Sequence, residues 1–213
     1  MGLREKAKID KLKRIRAAAE YVFRKKGYES ATTREIAARA RVSVGTLFVY
    51  APAKRDLLLM VYNDNLEKLP ISEPESDAPL IEQLVTFYRA RFEFWGRHPQ
   101  LSRFVVREVF DPVDRDPAAA AQTVRFRNRR QSVVTEVQRM VERRQVVGEI
   151  DSTCDAALVA QLMHNIFLSE NRQWLESPEP EINFGVERLR ALLTLAIGGC
   201  FRRVHNESGA LQL

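Results

Sequence analysis

The stretch from Thr32 to Tyr50, "TTREIAARARVSVGTLFVY", decides the fold because it holds two helix starts close together. Thr32 and Glu35 have the spacing of a capping box, in which the threonine hydroxyl accepts a backbone N–H and the glutamate reaches back to another. Ser43 is suited to cap the next helix, which we expect to run to about Tyr50. About three residues separate the two helices, a spacing typical of a helix-turn-helix, whose second helix enters the DNA major groove.

Gly45 lies in the first turn of that second helix, although glycine costs a helix interior about 1 kcal/mol relative to alanine. Without a side chain, the backbone can approach DNA closely, and Thr46 beside it offers a hydroxyl to a phosphate or a methyl group to thymine. Lys54 and Arg55 begin a further helix, where cations are unfavourable unless a phosphate lies nearby. An ordinary turn glycine and a solvated lysine are the alternatives, but together these features favour DNA binding.

The charge of the chain is concentrated at its start. Residues 1–56 contain fifteen Lys and Arg but six Asp and Glu, whereas the rest of the chain contains nineteen Lys and Arg and twenty-two Asp and Glu. The whole chain has a net charge of +6. A basic first quarter suggests a nucleic-acid-binding module joined to a second part. A solvated charged surface is the alternative explanation.

Apolar residues recur with helical spacing along the whole chain, and no clear strand signal is present. A first helix carries an apolar stripe from Ile9 to Phe23 and ends at Gly27. Pro52 precedes a fourth helix, whose apolar residues run from Leu58 to Leu69. The segment from Leu69 to Pro79, with three prolines, is typical of a linker.

Beyond the linker, further apolar stripes predict a series of helices, with a loop at 111–117 and a last stripe from Val186 to Cys200. The sequence therefore predicts an all-α protein with a small basic three-helix head, a connecting fourth helix and a larger helical body.

Several classes of function are disfavoured. No apolar stretch reaches the roughly 18 residues of a membrane span, and the first residues are too charged for a signal peptide, so we expect a cytoplasmic protein without a membrane partner. Cys154 and Cys200 match no metal or redox spacing. His98, His164 and His205 have no neighbouring nucleophile motif, metal-ligand spacing or phosphate loop. We therefore expect no enzyme, no cofactor and no metal site.

Residues 9–62 resemble the DNA-binding domain of the tetracycline-repressor (TetR) family of transcription regulators. The resemblance rests on an ordered set: an aromatic residue before Gly27-Tyr28, then Thr32-Thr33, Ile36-Ala37, Val42-Ser43, Gly45-Thr46-Leu47, Tyr50, Lys54 and Leu57-Leu58. The body carries no motif of its own, but its helices look like the family's ligand-binding and dimerisation domain. The resemblance implies an N-terminal helix-turn-helix DNA-binding domain at 1–56 and a C-terminal helical domain for ligand binding and dimerisation at 57–213.

The resemblance also implies DNA-contacting residues. Positions that contact the DNA backbone in the family correspond to Thr33, Thr46, Phe48 and Lys54. Positions at or near bases and sugars correspond to Arg34, Val44, Gly45 and Val49.

Three departures from the family pattern reduce the expected sequence specificity. Phe48 lacks the hydroxyl of the family's frequent tyrosine, Val49 replaces a polar or aromatic residue, and Ala51 and Ala53 replace an aromatic residue and a small polar cap. A basic arm could compensate by binding phosphates or a minor groove, or it could be a disordered, solvated tail; it consists of Arg4, Lys6, Lys8, Lys11, Lys13 and Arg14.

The resemblance places a homodimer interface in the last two helices, so that two heads meet a pseudo-palindromic DNA site. Ala191, Gly198 and Gly199 are small enough for close helix contact, although the two glycines could also simply end the helix.

An apolar pocket with a few polar groups is the usual small-molecule site, and aromatic and polar residues of the body offer one. The predicted ligand-binding residues are Phe92, Trp95, Arg107, Phe167, Asn171 and Trp174. The alternative is that the aromatic residues are core and the arginine is on the surface. The expected effector is apolar or aromatic, and a negative charge on it is left open.

Together these inferences predict a ligand-responsive transcriptional regulator. We expect a repressor that binds a double-stranded DNA operator as a homodimer and is released by a small apolar effector. A helical interaction protein of the same fold that has lost specific operator binding is the alternative, and the departures at Phe48, Val49, Ala51 and Ala53 permit it.

Overall fold

The computed structural model describes residues 2–71, 76–110 and 121–198, and within them the chain forms nine α-helices and no strand. This confirms the predicted all-α fold. The helices are α1 (Leu3–Ser30), α2 (Thr33–Ala40), α3 (Val44–Tyr50), α4 (Lys54–Leu66), α5 (Leu80–Gly96), α6 (Pro99–Phe110), α7 (Ala121–Val146), α8 (Ala156–Glu176) and α9 (Ile182–Ile197).

The first helix is longer than its buried stripe. Helical structure begins at Leu3, so the basic arm forms the first turns of α1 and is not a disordered tail. Burial begins only at Ile15, whereas Leu12 is exposed. Gly27 leaves the helical conformation with a φ of 77°, which is consistent with the predicted end of the regular helix at this residue.

The predicted caps position the next two helices. The Thr32 hydroxyl accepts the Glu35 N–H at 3.2 Å, and a Glu35 carboxylate oxygen accepts the Thr32 N–H at 3.3 Å. The Ser43 hydroxyl accepts the Thr46 N–H at 3.1 Å and thereby starts α3. Between the two helices, Arg41 adopts a left-handed conformation with a φ of 56°, which reverses the chain direction. The helix-turn-helix is therefore fixed by short-range hydrogen bonds.

The fourth helix joins the head to the body. It packs against α1 on one side and α7 on the other, and most of its residues are buried. It ends at Leu66, short of Leu69, and the predicted domain boundary at residue 56 falls within its first turn. Ala53 cannot cap this helix, but Asp56 compensates in part by accepting the Ala53 N–H at 3.0 Å.

The body is built on the pairing of α8 with α7 and of α9 with α5 and α8. Its core is rich in aromatic side chains, with the rings of Tyr88 and Phe167 stacked at 4.4 Å between centroids. Leu193 on α9 is fully buried in this core. The predicted loop at 111–117, as well as Gly199 and Cys200, lie outside the described residues. No helix in the described part of the chain is long and apolar enough to cross a membrane.

Candidate DNA-binding surface and ligand cavity

The third helix presents apolar side chains to solvent instead of to the core. Leu47 is its only buried residue, while Val49 is 81% exposed and Phe48 is 42% exposed. Val44 is partly buried against the head. Exposed apolar residues on a capped helix that follows a tight turn are suited to contact another surface, as the helix-turn-helix prediction requires.

Gly45 lies on the open side of this helix. A methyl group added at its Cα would meet only the Ser43 hydroxyl, at 4.0 Å. The fold therefore gives no steric reason for a glycine here, and the space beside its Cα is open to a close approach from outside the protein.

The polar residues predicted to contact DNA differ in their surroundings. Arg34 on α2 is exposed and has no hydrogen bond or ion pair among the described residues, so its guanidinium is available. Thr33 and Thr46 are partly buried. The hydroxyl of Thr46 lies 2.9 Å from that of Ser43, which holds it in one position at the start of α3.

Lys54 is engaged within the head. Its ammonium donates hydrogen bonds to the carbonyl oxygens of Tyr28, Glu29 and Ala31, at 2.9, 3.0 and 3.2 Å. It also lies 4.6 Å from the centre of the Tyr28 ring. A lysine has three N–H donors, so this residue closes the end of α1, and a phosphate would have to displace one of these bonds.

The body contains a cavity of about 70 Å³ at the junction of five helices, α4 to α8. Its lining comprises Leu66, Leu69, Arg91, Trp95, Val106, Phe126, Arg129, Arg130, Val133, His164, Phe167, Leu168 and Asn171. The wall is mostly apolar with a few polar groups, as is typical of small-molecule sites. Of the residues predicted from sequence, it brings together Trp95, Phe167 and Asn171.

The other three predicted ligand-binding residues lie outside this cavity. Arg107 is exposed on α6. Phe92 and Trp174 pack edge to face, with 5.0 Å between ring centroids, and the Trp174 indole N–H donates to the Glu181 carbonyl at 2.8 Å. These two rings are packing residues because they fill the space between α5, α8 and α9.

The close approach of α9 at this point depends on a missing side chain. A Cβ at Gly185 would lie 2.9 Å from the Trp174 ring and 3.0 Å from that of Phe92. The contact between these two rings and α9 therefore requires glycine at this position.

The sequence interpretation missed the cationic residues of the cavity. Arg91 comes from α5, and Arg129 and Arg130 come from α7. Arg129 donates a hydrogen bond to the Leu69 carbonyl, and the Arg91 guanidinium lies 3.3 Å from the centre of the Phe87 ring. No local pattern distinguishes these arginines from the many exposed ones, since their burial depends on helices distant in sequence.

His164 is neutral at physiological pH. Burial, reinforced by the charges of Arg130 and Arg91, lowers the pKa of His164 to about 3. Its Nδ1 lies 3.4 Å from the Tyr88 hydroxyl, and its Nε2 is buried without a hydrogen-bond partner among the described residues.

The start of α7 is attached to α4 by polar contacts. The Asn63 side-chain amide donates to the Gln122 carbonyl at 2.8 Å, and Arg125 lies 2.6 Å from Asp64 and also binds Glu67. Asp64 in turn accepts a hydrogen bond from Arg16 on α1. The helix that contributes four residues to the cavity wall is thus connected to the head.

Comparisons with known proteins agree with this arrangement. Residues 15–61 match the family described as bacterial regulatory proteins, tetR family. The chain is 26% identical to the HTH-type transcriptional repressor KstR of Rhodococcus jostii over 205 residues, which cover 94% of this chain and 89% of the relative. It is 27% identical to KstR of Mycobacterium tuberculosis over 179 residues, 81% of this chain and 74% of that one.

A solved structure shares the fold over nearly the whole length. FadR of Thermus thermophilus, a TetR-family repressor in complex with lauroyl-CoA, has a TM-score of 0.63 and 21% sequence identity, and covers 93% of this chain and 100% of its own. The shared fold combines a helix-turn-helix with a larger helical body. The match of residues 15–61 and the similarity to these repressors support a ligand-responsive, DNA-binding transcriptional regulator of the TetR type.

Proposed function

We propose that this regulator represses transcription in the cytoplasm by binding a pseudo-palindromic operator as a homodimer, and that a small, largely apolar effector releases it. The observation that carries this proposal is the double attachment of α7, which lines the cavity through Arg129 and Arg130 and binds α4 through Arg125. A ligand in the cavity can therefore change the position of the helix that leads to the head.

The proposed DNA contacts come from α2, α3 and the start of α4. Exposed Arg34 supplies charge, and Val49, Phe48 and Gly45 supply an apolar surface that fits thymine methyl groups and a close backbone approach. Val44, Thr33, Thr46 and Lys54 complete the set, with Lys54 acting mainly through the position of α1. Phosphate contacts fix the register of the head, and the base-facing residues select the sequence.

The proposed dimer interface is the outer face of α8 and α9. Leu158 and Leu162 on α8 and Phe184 and Leu195 on α9 are exposed, and the two helices pack side by side. Large exposed apolar residues on two adjacent helices are typical of an interface with another chain. A two-fold symmetric pair would place its two recognition helices about one DNA turn apart.

The size of the cavity supports a switch. A volume of about 70 Å³ is well below the ~300 Å³ at the small end of ligand sites, so an effector must move the cavity walls apart. Because α7 is attached to α4 at Asn63, Asp64 and Glu67, its displacement acts on the connection between head and body. An effector that favours the widened body releases DNA if that geometry misplaces the two heads.

The relatives support an effector with an apolar part. FadR of Thermus thermophilus was solved with lauroyl-CoA, which joins an acyl chain to a polar head. The apolar lining of the cavity in this chain, with Trp95, Phe167 and Leu168, suits a comparable apolar segment.

Selection of bound duplexes from a random DNA pool, followed by fluorescence anisotropy at physiological salt, tests the proposal. We expect an enriched sequence with two-fold symmetry that binds at least about a thousandfold more tightly than unrelated DNA. Recovery of no common sequence, or equal affinity for all duplexes, contradicts operator binding.

A further inference from the structure

The wall of the cavity includes polar groups that have no partner within the described part of the protein. Arg130 is half-buried and forms no hydrogen bond or ion pair there. His164 is only 3% exposed, and its Nε2 has no partner in the same residues. Buried polar groups are normally satisfied, so such atoms facing a cavity point to a ligand that supplies the missing partners.

The charged residues that line the cavity are all positive. Three arginines line it, and no Asp or Glu is among its lining residues. Arg129 and Arg130 are both partly buried, and this partial removal from water lowers the pKa of each guanidinium. Positive charge in apolar surroundings interacts strongly with an anion because little solvent screens the pair.

The histidine adds a directed donor to this charge. A neutral imidazole carries one proton, and in the tautomer in which the Tyr88 hydroxyl donates to Nδ1, that proton is on Nε2. In this tautomer, His164 has an unused Nε2 donor in the wall of the cavity that Arg130 also lines, and the charge of Arg130 acts on the histidine.

We propose that the effector carries an anionic group, a carboxylate or a phosphate, that Arg130 and His164 bind, while its apolar remainder packs against Trp95, Phe167 and Leu168. This inference rests on the proposed effector site and adds the chemical class of the ligand. Asn171 lies seven residues after His164 on α8, and its Oδ1 is also buried without a partner in the described residues. Since a helix rises about 1.5 Å per residue, a hydrogen-bond donor roughly 10 Å from the anionic group could reach it.

Matched probes with the same apolar part test this proposal on the full chain. Decanoate, decyl phosphate and decanol are titrated while the intrinsic fluorescence is followed, since Trp95 lines the cavity. The same comparison with 2-naphthoate and 2-naphthalenemethanol covers an aromatic effector. We expect at least one anionic probe to bind about tenfold or more tightly than its alcohol, because a charge-assisted hydrogen bond is gained. The relative affinities of decanoate and decyl phosphate distinguish a carboxylate from a phosphate.

Two variants of α7 make the test specific. Arg130→Met should abolish the preference for the anion, whereas Arg127→Met, at an exposed position outside the cavity, should preserve it. Arg130→Met should also be at least as stable as the wild-type protein in thermal unfolding, because it removes a partly buried charge without a partner. If this variant does not fold, Arg130→Gln replaces it.

Two results would overturn the inference: no anion preference in either series, or a preference that survives the loss of Arg130. Failure of the anionic site can be distinguished from failure of the proposed switch. Operator release by the alcohols alone would contradict the anionic site but support the switch. Binding of anions through Arg130 without any effect on operator affinity would support the site and contradict the switch.

Discussion

Arg125 on α7 and Asp64 on α4 form an ion pair with 2.6 Å between Nη1 and Oδ1. Burial favours the neutral form of the carboxyl, but hydrogen bonds from Arg16 and Arg125 outweigh it and hold the pKa of Asp64 below its ordinary value. One carboxylate thus joins the first helix of the head, the connecting helix and the wall of the cavity. We therefore expect the contribution of this ion pair to stability to be lost in acid.

The substitution Asp64→Asn should destabilise the protein by on the order of 1–2 kcal/mol at pH 7, since two charge-assisted hydrogen bonds are weakened. A carboxylate whose pKa is depressed on folding stabilises the protein above its unfolded pKa of about 4, and this contribution is lost as the pH falls through the folded value. The difference in the free energy of unfolding between the wild-type protein and Asp64→Asn should therefore shrink below about pH 4. Urea denaturation at several pH values measures this difference.

Asp10→Asn is the matched control, because Asp10 lies exposed on α1 with no ion pair among the described residues. It should change the free energy of unfolding little at any of these pH values. If the free energies of unfolding of the wild-type protein and Asp64→Asn differ by the same amount at every pH, the carboxylate charge does not stabilise the junction.

Gly45→Ala should separate stability from DNA binding. The added methyl group has room and improves helix propensity, so the head should become more stable by up to about 1 kcal/mol. Operator affinity should fall, because the methyl group lies where the DNA backbone must approach. Thermal unfolding and fluorescence anisotropy measure the two effects, and an unchanged operator affinity would contradict the assigned role of Gly45.

Two cationic residues of the head should respond differently to truncation. Arg34→Ala should leave the melting temperature unchanged and weaken operator binding more than binding to unrelated DNA, because this position lies at or near bases and sugars. Lys54→Ala should lower the stability by on the order of 1–2 kcal/mol, because three carbonyl groups lose their donor. Equal melting temperatures for the two variants would argue against the structural role of Lys54.

Leu195→Glu should dissociate the homodimer while leaving a folded monomer, because Leu195 is 78% exposed on the outer face of α9. Leu193→Glu should instead unfold the body, since that side chain is completely buried. Val146→Glu, an exposed apolar position at the end of α7, is the control and should remain dimeric. Equilibrium sedimentation with circular dichroism distinguishes these outcomes, and a wild-type monomer at micromolar concentration would contradict the dimer.

The sequence predicted best what short-range interactions determine. The caps at Thr32, Glu35 and Ser43 involve residues three positions apart, so their side chains and backbone partners are visible in one short stretch. The helix-turn-helix and the all-α fold could be predicted for the same reason.

The cavity depends on residues far apart in the chain, and only part of it could be predicted. Periodicity marks Phe92 and Phe167 alike as apolar, yet Phe167 lines the cavity while Phe92 is packed beneath α9 at Gly185. Likewise, Arg107 is exposed and Arg130 faces the cavity because of how α6 and α7 pack on other helices. Local pattern gives the helical face of a residue but not the neighbour that covers it.

We predict that the cavity and the operator site are energetically coupled through α7 and α4. The most direct measurement is the affinity of fluorescent operator DNA for the wild-type protein with and without a saturating cavity ligand, together with the affinity for that ligand with and without operator. We predict that the ligand weakens operator binding about 5- to 150-fold and that the operator weakens ligand binding by the same factor, as linkage requires. A ligand that binds and changes tryptophan fluorescence while leaving the operator affinity unchanged would contradict the account.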